Sequence, residues 1–469
     1  MIARRATSES ILARLDELRA GDAPTHGGHV LSYVYDPGIA ELDELAARAV
    51  RAMQPVNGLD PTTFTSVAVL EGEVVGFVRD LLGGDDEVAG SVTSGGTESC
   101  LLAVKTARDE WRARGGQGVP RILAPTTVHA AFHKAAHYFG LDLDLVPVSP
   151  ETGTIDVADL VGRLGPDVAL AVVSAPSYPY AALDPVAEVA SACADAGISC
   201  HVDACIGGLV LPFESDLPPW DLRVPGVTSI SADLHKYGFA PKGVSVLLHR
   251  DSARHRRQFF ATTRWPGYPV VNPTMLGSKS AGALAAAWAI ISALGEDGFA
   301  DLALRSRRAT HSLLATIGGI EGLRVVGDPV GPLFAVAVDE SVPTDRRVDP
   351  HHWADAARQL GWLLQLQPGF AQPGAATLPH TTHLTVTPVT EDVLPELTSA
   401  LIEAADTVRG VPRVAPEEVL ASLGGDVASI VSGPLPDRMA PLLSLVEGLP
   451  PEAVEGLLIQ LLAGVSRAR

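Results

Sequence analysis

The chain has 469 residues, of which 46% are hydrophobic, and its 35 Lys and Arg against 55 Asp and Glu give a net charge of −20. This length predicts two or three cooperating domains around a large core. The acidic balance, without a long run of basic residues, argues against a nucleic-acid partner.

Residues 1–60 are predicted to form an N-terminal arm. Apolar residues at helical spacing follow Arg4 and Arg5, without the apolar core of a secretory signal. An irregular segment after this helix contains Tyr33 and Tyr35. We therefore expect no secretory signal in this arm.

Residues 61–295 are predicted to form a large domain on a mainly parallel sheet. Short β-branched runs alternate here with Ala- and Leu-rich stretches, which is typical of such a sheet covered by helices. Functional groups in these sheets gather where strands end. The seven predicted strands are Val88–Thr93, Arg121–Pro125, Leu143–Val148, Val168–Ser174, Ser199–Asp203, Val227–Ser231 and Val244–His249.

A glycine-rich turn, 94–99, follows the first of these strands and opens a helix. Gly95 and Gly96 let the backbone come close to an anion, and the helix N-terminus with the Thr97 hydroxyl is suited to phosphate. Purely structural turns have the same pattern, so the turn alone identifies no site. It lacks the glycine and lysine spacing of nucleotide-binding loops, which disfavours a nucleotide.

Two further candidates follow predicted strands. Asp203 ends an apolar strand, where a buried carboxylate needs a cation or hydrogen-bond donors. Lys236, beside His235, lies in an otherwise apolar stretch that is expected to desolvate it and lower its pKa, so that it can form an imine. Alone, the aspartate also fits a helix cap or ion pair, and the lysine a surface charge. With His129 as a ring-stacking residue, the set matches the needs of pyridoxal 5'-phosphate (PLP).

The combined pattern SGGTES…HVDAC.GG…SAD.HKYG.APKG resembles the sphingosine-1-phosphate lyase branch of the group II PLP-dependent decarboxylases. The similarity extends over about residues 28–295 and more faintly to about 400. It implies an α/β fold of PLP fold type I, like that of aspartate aminotransferase. In this fold a large domain with a mainly parallel seven-stranded sheet is joined to a smaller α+β C-terminal domain. It also implies a homodimer with shared active sites.

The resemblance also implies a role for individual residues. As catalytic residues, Lys236 would carry the cofactor, Asp203 would pair with the pyridine nitrogen and His129 would stack on the ring. The other expected positions are Gly95, Gly96, Thr97 and His235 at the cofactor phosphate, Ser278 reaching that phosphate from the neighbouring subunit, and Tyr33, Tyr35, Asn57, Ser177 and Lys242 facing the substrate.

The sequence departs from the family pattern mainly on the substrate side. Ser177 stands where the family usually has Asn, Ala181 where it has Gly, and Lys279 where it has Arg. Val270 occupies the usual place of a tyrosine, while Tyr268 lies two residues earlier. These changes spare the residues expected to hold the cofactor, so they bear on the choice of substrate.

Residues 296–410 are predicted to form the small domain, and 411–469 a helical C-terminal extension. The uncharged run Ala281–Leu294 is short of the ~20 residues that span a bilayer, so we expect a buried helix and no membrane anchor.

The adjacent pair His351 and His352 is expected at the surface. The four cysteines lack zinc-site spacing and a disulfide framework, which predicts core thiols, no metal and a reducing cytoplasm.

These observations predict a PLP-dependent carbon–carbon lyase with a small-molecule amine substrate. The expected substrate is a 2-amino-3-hydroxy compound such as a phosphorylated sphingoid-type amino alcohol. An amino-acid decarboxylase using the same site is the alternative, and a binding protein without activity is a third hypothesis. The Ala- and Arg-rich composition predicts a bacterial source.

Overall fold

The computed structural model describes residues 6–422 and 437–465. Its largest element is a seven-stranded sheet, and every predicted strand is present with boundaries within two residues of those expected. The strands are β1 (Ala89–Thr93), β2 (Arg121–Pro125), β3 (Asp142–Val146), β4 (Val168–Ser174), β5 (Ser199–Asp203), β6 (Ser229–Ala232) and β7 (Ser245–His249).

The spatial order of this sheet is β1-β7-β6-β5-β4-β2-β3. β7 is antiparallel to both of its neighbours, β1 and β6, and the remaining pairs are parallel. The carboxyl ends of β1, β5 and β6 therefore meet at one edge. The glycine turn, Asp203 and the loop bearing Lys236 follow from these three ends.

Helices cover the large sheet. Strands such as β4 and β5 are therefore buried along their whole length and expose no polar face. A short ribbon of β8 (Phe260–Thr262) and β9 (Val270–Asn272) follows the sheet. The preceding helices are α1 (Ser8–Arg19), α2 (Ala40–Met53), α3 (Thr65–Leu81), α4 (Gly96–Ala113), α5 (Ala130–Phe139), α6 (Val157–Val161), α7 (Val186–Asp195) and α8 (Ser252–Gln258).

A 37-residue helix, α9 (Gly282–Gly318), connects the large sheet to the rest of the chain. It bends at Gly295, whose φ of 58° and ψ of −177° are left-handed values that a side chain would oppose. By length and composition alone α9 is apolar enough to cross a membrane. In the fold it packs against α2 and α3, with Ala286 and Ile290 buried, as expected of a core helix.

A second, four-stranded antiparallel sheet has the order β10-β11-β13-β12 and a core around the buried Trp353. This α+β arrangement agrees with the expected fold class, while the predicted domain limits stay a prediction. The elements are β10 (Leu323–Val325), β11 (Leu333–Val338), α10 (Pro350–Gln359), β12 (Gln365–Gln367), β13 (Thr381–Thr385) and α11 (Leu394–Val408), followed by α12 (Pro416–Ser422), α13 (Ala440–Gly448) and α14 (Pro451–Val465).

The surface position expected for the His351–His352 pair is wrong for its first member. His351 is buried, and its Nε2 lies 2.9 Å from the carbonyl oxygen of Gln367. Burial lowers its pKa to about 4. Because these residues begin α10, the helix turns one ring toward β12 and β13 and leaves His352 half-buried.

Candidate active site

A cavity of about 410 Å³ lies at the edge where β1 and β6 end. Its size falls within the range of roughly 300 to 1,000 Å³ that is usual for small-molecule pockets. Segments far apart in the sequence meet there, as predicted from the topology. The cavity is lined by Ser94, Gly95, Gly96, Thr97, Glu98, Cys100, His129, Cys205, Asp233, His235, Lys236, Lys242 and Gly243.

The glycine turn forms one wall of this cavity and is closely packed from behind. A Cβ on Gly96 would lie 2.7 Å from both carboxylate oxygens of Asp233 and 2.9 Å from the Cys205 sulfur. Gly95 precedes α4 with a φ of 151°, a value that side chains disfavour. The first-turn N–H groups of α4 and the Thr97 hydroxyl are therefore available to an anion.

Lys236 lies in the loop 233–244, which joins the antiparallel strands β6 and β7. The base of this loop is closed by hydrogen bonds. The His235 amide donates to the Val244 carbonyl at 3.3 Å, and the Ser245 hydroxyl donates to Asp233 Oδ1 at 2.6 Å. The lysine is therefore presented to the cavity from a loop fixed at both ends.

The charge of Lys236 is set by Asp233. Lys236 Nζ lies 3.0 Å from Asp233 Oδ2, and the lysine side chain is only 20% exposed. Burial lowers the pKa of Lys236, but the attraction of Asp233, followed by Tyr35 and Cys205, outweighs it and holds the pKa well above its usual value. The expectation of a lowered pKa is therefore wrong for the cofactor-free chain, because it took no account of Asp233.

Asp203 adjoins the cavity through Cys205, two residues later. Its Oδ1 accepts the amide N–H of Cys205 at 3.1 Å, and the carboxylate side chain is buried. One of its oxygens lies within 4.8 Å of the sulfur atoms of Cys205 and Cys100, both of which line the cavity. Asp203 thus lies next to the space that the other predicted residues surround.

Two histidines complete the cavity wall. His129 precedes α5 as its N-cap, and its Nδ1 accepts the amide N–H of Ala131 at 3.2 Å, which fixes the ring. His235 Nδ1 accepts the Val244 amide at 3.4 Å. Burial lowers the pKa of His235 against the opposing effect of Asp233. A neutral His235 ring in this geometry carries its proton on Nε2 and can donate it to an anion.

Tyr35 and Lys242, two residues predicted to face a substrate, lie together beside Lys236. The Lys242 amino group is 4.5 Å from the centre of the Tyr35 ring and donates to the His235 carbonyl at 2.9 Å. Burial, followed by repulsion from Lys236, lowers the pKa of Lys242 to about 8. Burial raises the pKa of Tyr35 to about 12. The phenol therefore stays neutral, while the amine titrates near neutral pH.

Besides Asp203 and Tyr35, four further predicted residues do not line this cavity. Tyr33 is 68% exposed with a φ of 60°, and Ser278 is exposed on the segment after β9. Asn57 Oδ1 accepts the backbone N–H of Lys279, so this asparagine holds the segment that contains Ser278. Ser177 is buried, and its hydroxyl has no hydrogen-bond partner among the described residues. Their roles stay predictions.

Sequence reasoning missed several residues of the cavity wall. Asp233, Cys205 and Cys100 lie in the motifs around Lys236, Asp203 and the glycine turn, but no pattern separated them from core residues. Glu98 is a fourth, because its two oxygens accept the backbone N–H groups of Ser94 and Met275. It thereby ties the glycine turn to the segment after β9. The spacing of Asp233, three residues before Lys236, is the one feature of the sequence that could have indicated a contact between these two side chains.

The substrate-side departure at position 181 has a backbone consequence. Ala181 is fully buried and has a φ of 57°, a left-handed value that glycine adopts without strain. This conformation explains why the resembled family usually has glycine there.

Comparison with known proteins adds independent findings. The family model described as the pyridoxal-dependent decarboxylase conserved domain matches residues 41–318. A second model, described as a C-terminal HTH domain of pyridoxal-dependent enzymes, matches residues 389–464.

Among curated relatives, the sphingosine-1-phosphate lyase of Oryza sativa is 34% identical over 92% of this chain and 78% of its own length. That of Dictyostelium discoideum is 36% identical over 70% of this chain, and the match spans 61% of the relative's length. The solved sphingosine-1-phosphate lyase of Burkholderia pseudomallei has a TM-score of 0.80 at 30% identity, covering 92% of this chain and 97% of its own. The glutamate decarboxylase of Lactobacillus brevis shares the fold, with a TM-score of 0.75 at 20% identity over 88% of this chain and 96% of its own.

Proposed function

Because the chain belongs to the pyridoxal-dependent decarboxylase family, we propose that it is a PLP-dependent carbon–carbon lyase. The substrate that we propose is a 2-amino-3-hydroxy compound with a phosphate, of the phosphorylated sphingoid type. Relatives at 34 to 36% identity carry the name sphingosine-1-phosphate lyase. The observation that carries the proposal is the convergence of Lys236, the glycine turn and His129 on one cavity, with Asp203 adjoining it.

The residues of the cavity fit PLP. The glycine turn leaves no room for a Cβ at Gly96 and presents the N-terminus of α4 with the Thr97 hydroxyl, which suits the cofactor phosphate. His235 supplies a further N–H donor. Asp203 keeps one carboxylate oxygen engaged with the Cys205 amide, and its other oxygen would pair with the ring nitrogen. When bound, PLP withdraws electrons from the substrate Cα through its protonated ring.

The residues of the chain divide the remaining work. Lys236 would hold the cofactor through its amino group and would give it up to the amine of the substrate. Lys242, whose pKa is lowered to about 8, exists partly as a free amine at neutral pH and takes the proton of the substrate 3-hydroxyl. Breaking the Cα–Cβ bond then gives an aldehyde, and return of the proton from Lys242 to Cα gives the shortened amine. Tyr35, below the Lys242 amino group, fixes its position.

The test is a product assay on the purified chain loaded with PLP. Phosphorylated sphingoid bases are expected to yield an aldehyde, and glutamate or aromatic amino acids no carbon dioxide. Lys236→Ala should remove both the absorbance of the bound cofactor and the activity, whereas the matched change Lys134→Ala on the exposed face of α5 should remove neither. Carbon dioxide release would replace this function with that of a decarboxylase. A colourless protein that cannot be loaded with PLP would support a binding protein without activity.

We also propose a homodimer with shared sites. Large apolar side chains are exposed along residues 260–276, directly before Ser278, and they include Trp265, Tyr268 and Val271 at 47%, 59% and 62%. An apolar surface of this kind is typical of an interface. A second copy covering it would bring Ser278 toward the neighbouring glycine turn.

Val271→Asp is expected to give a monomer that binds PLP at least tenfold more weakly. The matched control Val119→Asp, at a valine that is 58% exposed elsewhere, is expected to change neither property. The measurements are the mass in solution by light scattering and a PLP titration. A dimer that persists in Val271→Asp would contradict this assignment of the interface.

We propose a cytoplasmic enzyme of bacterial origin that has no nucleic-acid partner. The charge of segment 389–464, which matches the HTH-domain model, supports the absence of a nucleic-acid partner. This segment has 3 Arg and no Lys against 12 Asp and Glu. Such a surface repels a phosphate backbone, which basic residues must neutralise. The four cysteines of the described chain are free thiols, as expected in a reducing compartment.

A further inference from the structure

Two thiols and a carboxylate meet beside the cavity. Cys100, on the first turns of α4, and Cys205 and Asp203, at the end of β5, place one donor atom each within 4.8 Å of the others. All three side chains are buried, and the two cysteines line the cavity. Nothing in the proposed reaction requires Cys100.

This donor set suits a soft d¹⁰ cation. Two thiolates and one carboxylate are ligands of Zn²⁺ and of its heavier analogue Cd²⁺, whereas Mg²⁺ and Ca²⁺ prefer oxygen alone. Zinc–sulfur bonds of about 2.3 Å and zinc–oxygen bonds of about 2.0 Å separate tetrahedral ligands by about 3.5 to 3.8 Å. The observed limit of 4.8 Å requires only small side-chain rotations to reach that geometry.

We propose that Cys100, Cys205 and Asp203 form a binding site for a zinc-class cation in the cofactor-free chain. The fourth ligand is water from the adjoining cavity. Binding releases the two thiol protons to solvent, so that two thiolates and a carboxylate surround one divalent cation with a net charge of −1. The Lys236 ammonium group interacts electrostatically with both cysteines, but it is also paired with Asp233 at 3.0 Å, so it offsets this charge only in part.

Cation and cofactor exclude each other at this site, a step that rests on the proposed function. The Asp203 carboxylate that the cation would bind is the group proposed to pair with the ring nitrogen. Cys205 also lines the space that the ring would occupy. PLP loading therefore expels the cation, and a zinc-class cation delays PLP loading.

The chain contains a matched pair of cysteines for comparison. Cys193 on α7 and Cys200 on β5 are also buried, and they are hydrogen-bonded to each other. Within the described residues, no carboxylate or imidazole joins this pair to make a third ligand. If two neighbouring thiols were sufficient to bind a zinc-class cation, Cys193 and Cys200 would bind one with an affinity similar to that of Cys100 and Cys205.

The test titrates the full-length, cofactor-free chain with Cd²⁺ alone and follows the ultraviolet absorbance of cadmium–thiolate bonds. One equivalent is expected to bind. Cys100→Ala, Cys205→Ala and Asp203→Asn should each weaken binding at least tenfold, while the double change Cys193→Ala and Cys200→Ala should leave it intact. Far-ultraviolet circular dichroism of each variant confirms that it is folded, and Asp203→Asn keeps both thiols if a cysteine variant fails to fold.

Unchanged Cd²⁺ binding in folded Cys100→Ala or Asp203→Asn, or its loss in the Cys193 and Cys200 variant, would overturn the assignment. A PLP-loaded sample should show no cadmium–thiolate absorbance, and absorbance there would overturn the competition. Failure of the two proposals is distinguishable. A chain that binds Cd²⁺ but never takes up PLP keeps the metal site and loses the proposed function. A chain that takes up PLP but binds no Cd²⁺ keeps the proposed function and loses the metal site.

Discussion

At the scale of single residues, if Lys236 holds the cofactor as proposed, its pairing with Asp233 controls how the cofactor is taken up. An amine must lose its proton before it can attack an aldehyde. With the ammonium 3.0 Å from a buried carboxylate, the Lys236 pKa stays well above its ordinary value, so little free amine exists at neutral pH. PLP must displace this ion pair on arrival.

Asp233→Asn should make cofactor attachment faster at neutral pH. Removing an opposite charge at this distance lowers a lysine pKa by about 1 to 3 pH units. The pH profile of the attachment rate, followed by the absorbance of the bound cofactor, should therefore move to lower pH by a similar amount. Ser245→Ala, which removes only the hydroxyl bonded to Asp233, is the control and should leave the profile nearly in place. An unmoved profile in Asp233→Asn would show that the carboxylate does not set the lysine charge.

His129 combines two roles that different substitutions separate. Its Nδ1 caps α5, and its ring lines the cavity. His129→Asn should keep the cap but lose the ring, weakening PLP binding about 3- to 10-fold with little effect on stability. His129→Phe should keep an aromatic face but lose the cap, costing about 1 kcal/mol of unfolding free energy. PLP titration and urea unfolding distinguish the two, and equal effects of both variants on both measurements would refute the division.

At the scale of elements, the junction of β1 and α4 is closely packed at Gly96. Gly96→Ala would place a methyl group against both Asp233 oxygens and the Cys205 sulfur. We expect a loss of about 1 to 3 kcal/mol in unfolding free energy together with weakened PLP binding. Gly76→Ala on α3, where a Cβ meets nothing within 4 Å, should instead stabilise the chain by about 0.5 to 1 kcal/mol. A Gly96→Ala chain with full stability and PLP affinity would contradict the close packing of the glycine turn and its role in holding PLP.

Individual elements were also what the sequence predicted best. All seven strands of the large sheet were found because buried strands are short apolar runs between turns, and this holds also for β7, which is antiparallel to its neighbours. The placement of Lys236 and the glycine turn followed from the same pattern. The pKa of Lys236 and the burial of His351 could not be predicted, because both depend on contacts that only the fold creates. The role expected for Ser278 depends on a second subunit, and this role and the substrate-facing role of Asn57 stay predictions.

At the scale of the whole molecule, buried histidines make stability depend on pH. Burial lowers the pKa of His201, His351 and His383 to about 4, and that of His249 to about 3. Unfolded histidines bind protons near pH 6.5, so the unfolded state gains protons first as the pH falls. Asp184 acts in the opposite direction, since burial raises its pKa to about 7 and the folded state then holds the extra proton.

We therefore expect stability to fall as the pH drops from about 6.5 toward 4. Each of the four histidines contributes on the order of 2 kcal/mol of that loss by pH 5. Asp184 offsets about as much as one histidine contributes. Urea unfolding at pH 7.5 and pH 5 measures the difference. Asp184→Asn removes the offset, so its acid loss should be steeper than that of the parent chain. Equal stability of the parent chain at both pH values would contradict this expectation.

The loop 233–244 is joined at each end to a strand in the interior of the large sheet. Most connections in such a fold lead outward to a surface helix and tolerate insertions, but this one returns at once into the sheet. A protease cut or an inserted peptide here would separate two paired strands as well as displace the reactive amine. The chain should consequently accept engineered breaks in its outer βα connections far more readily than in this loop.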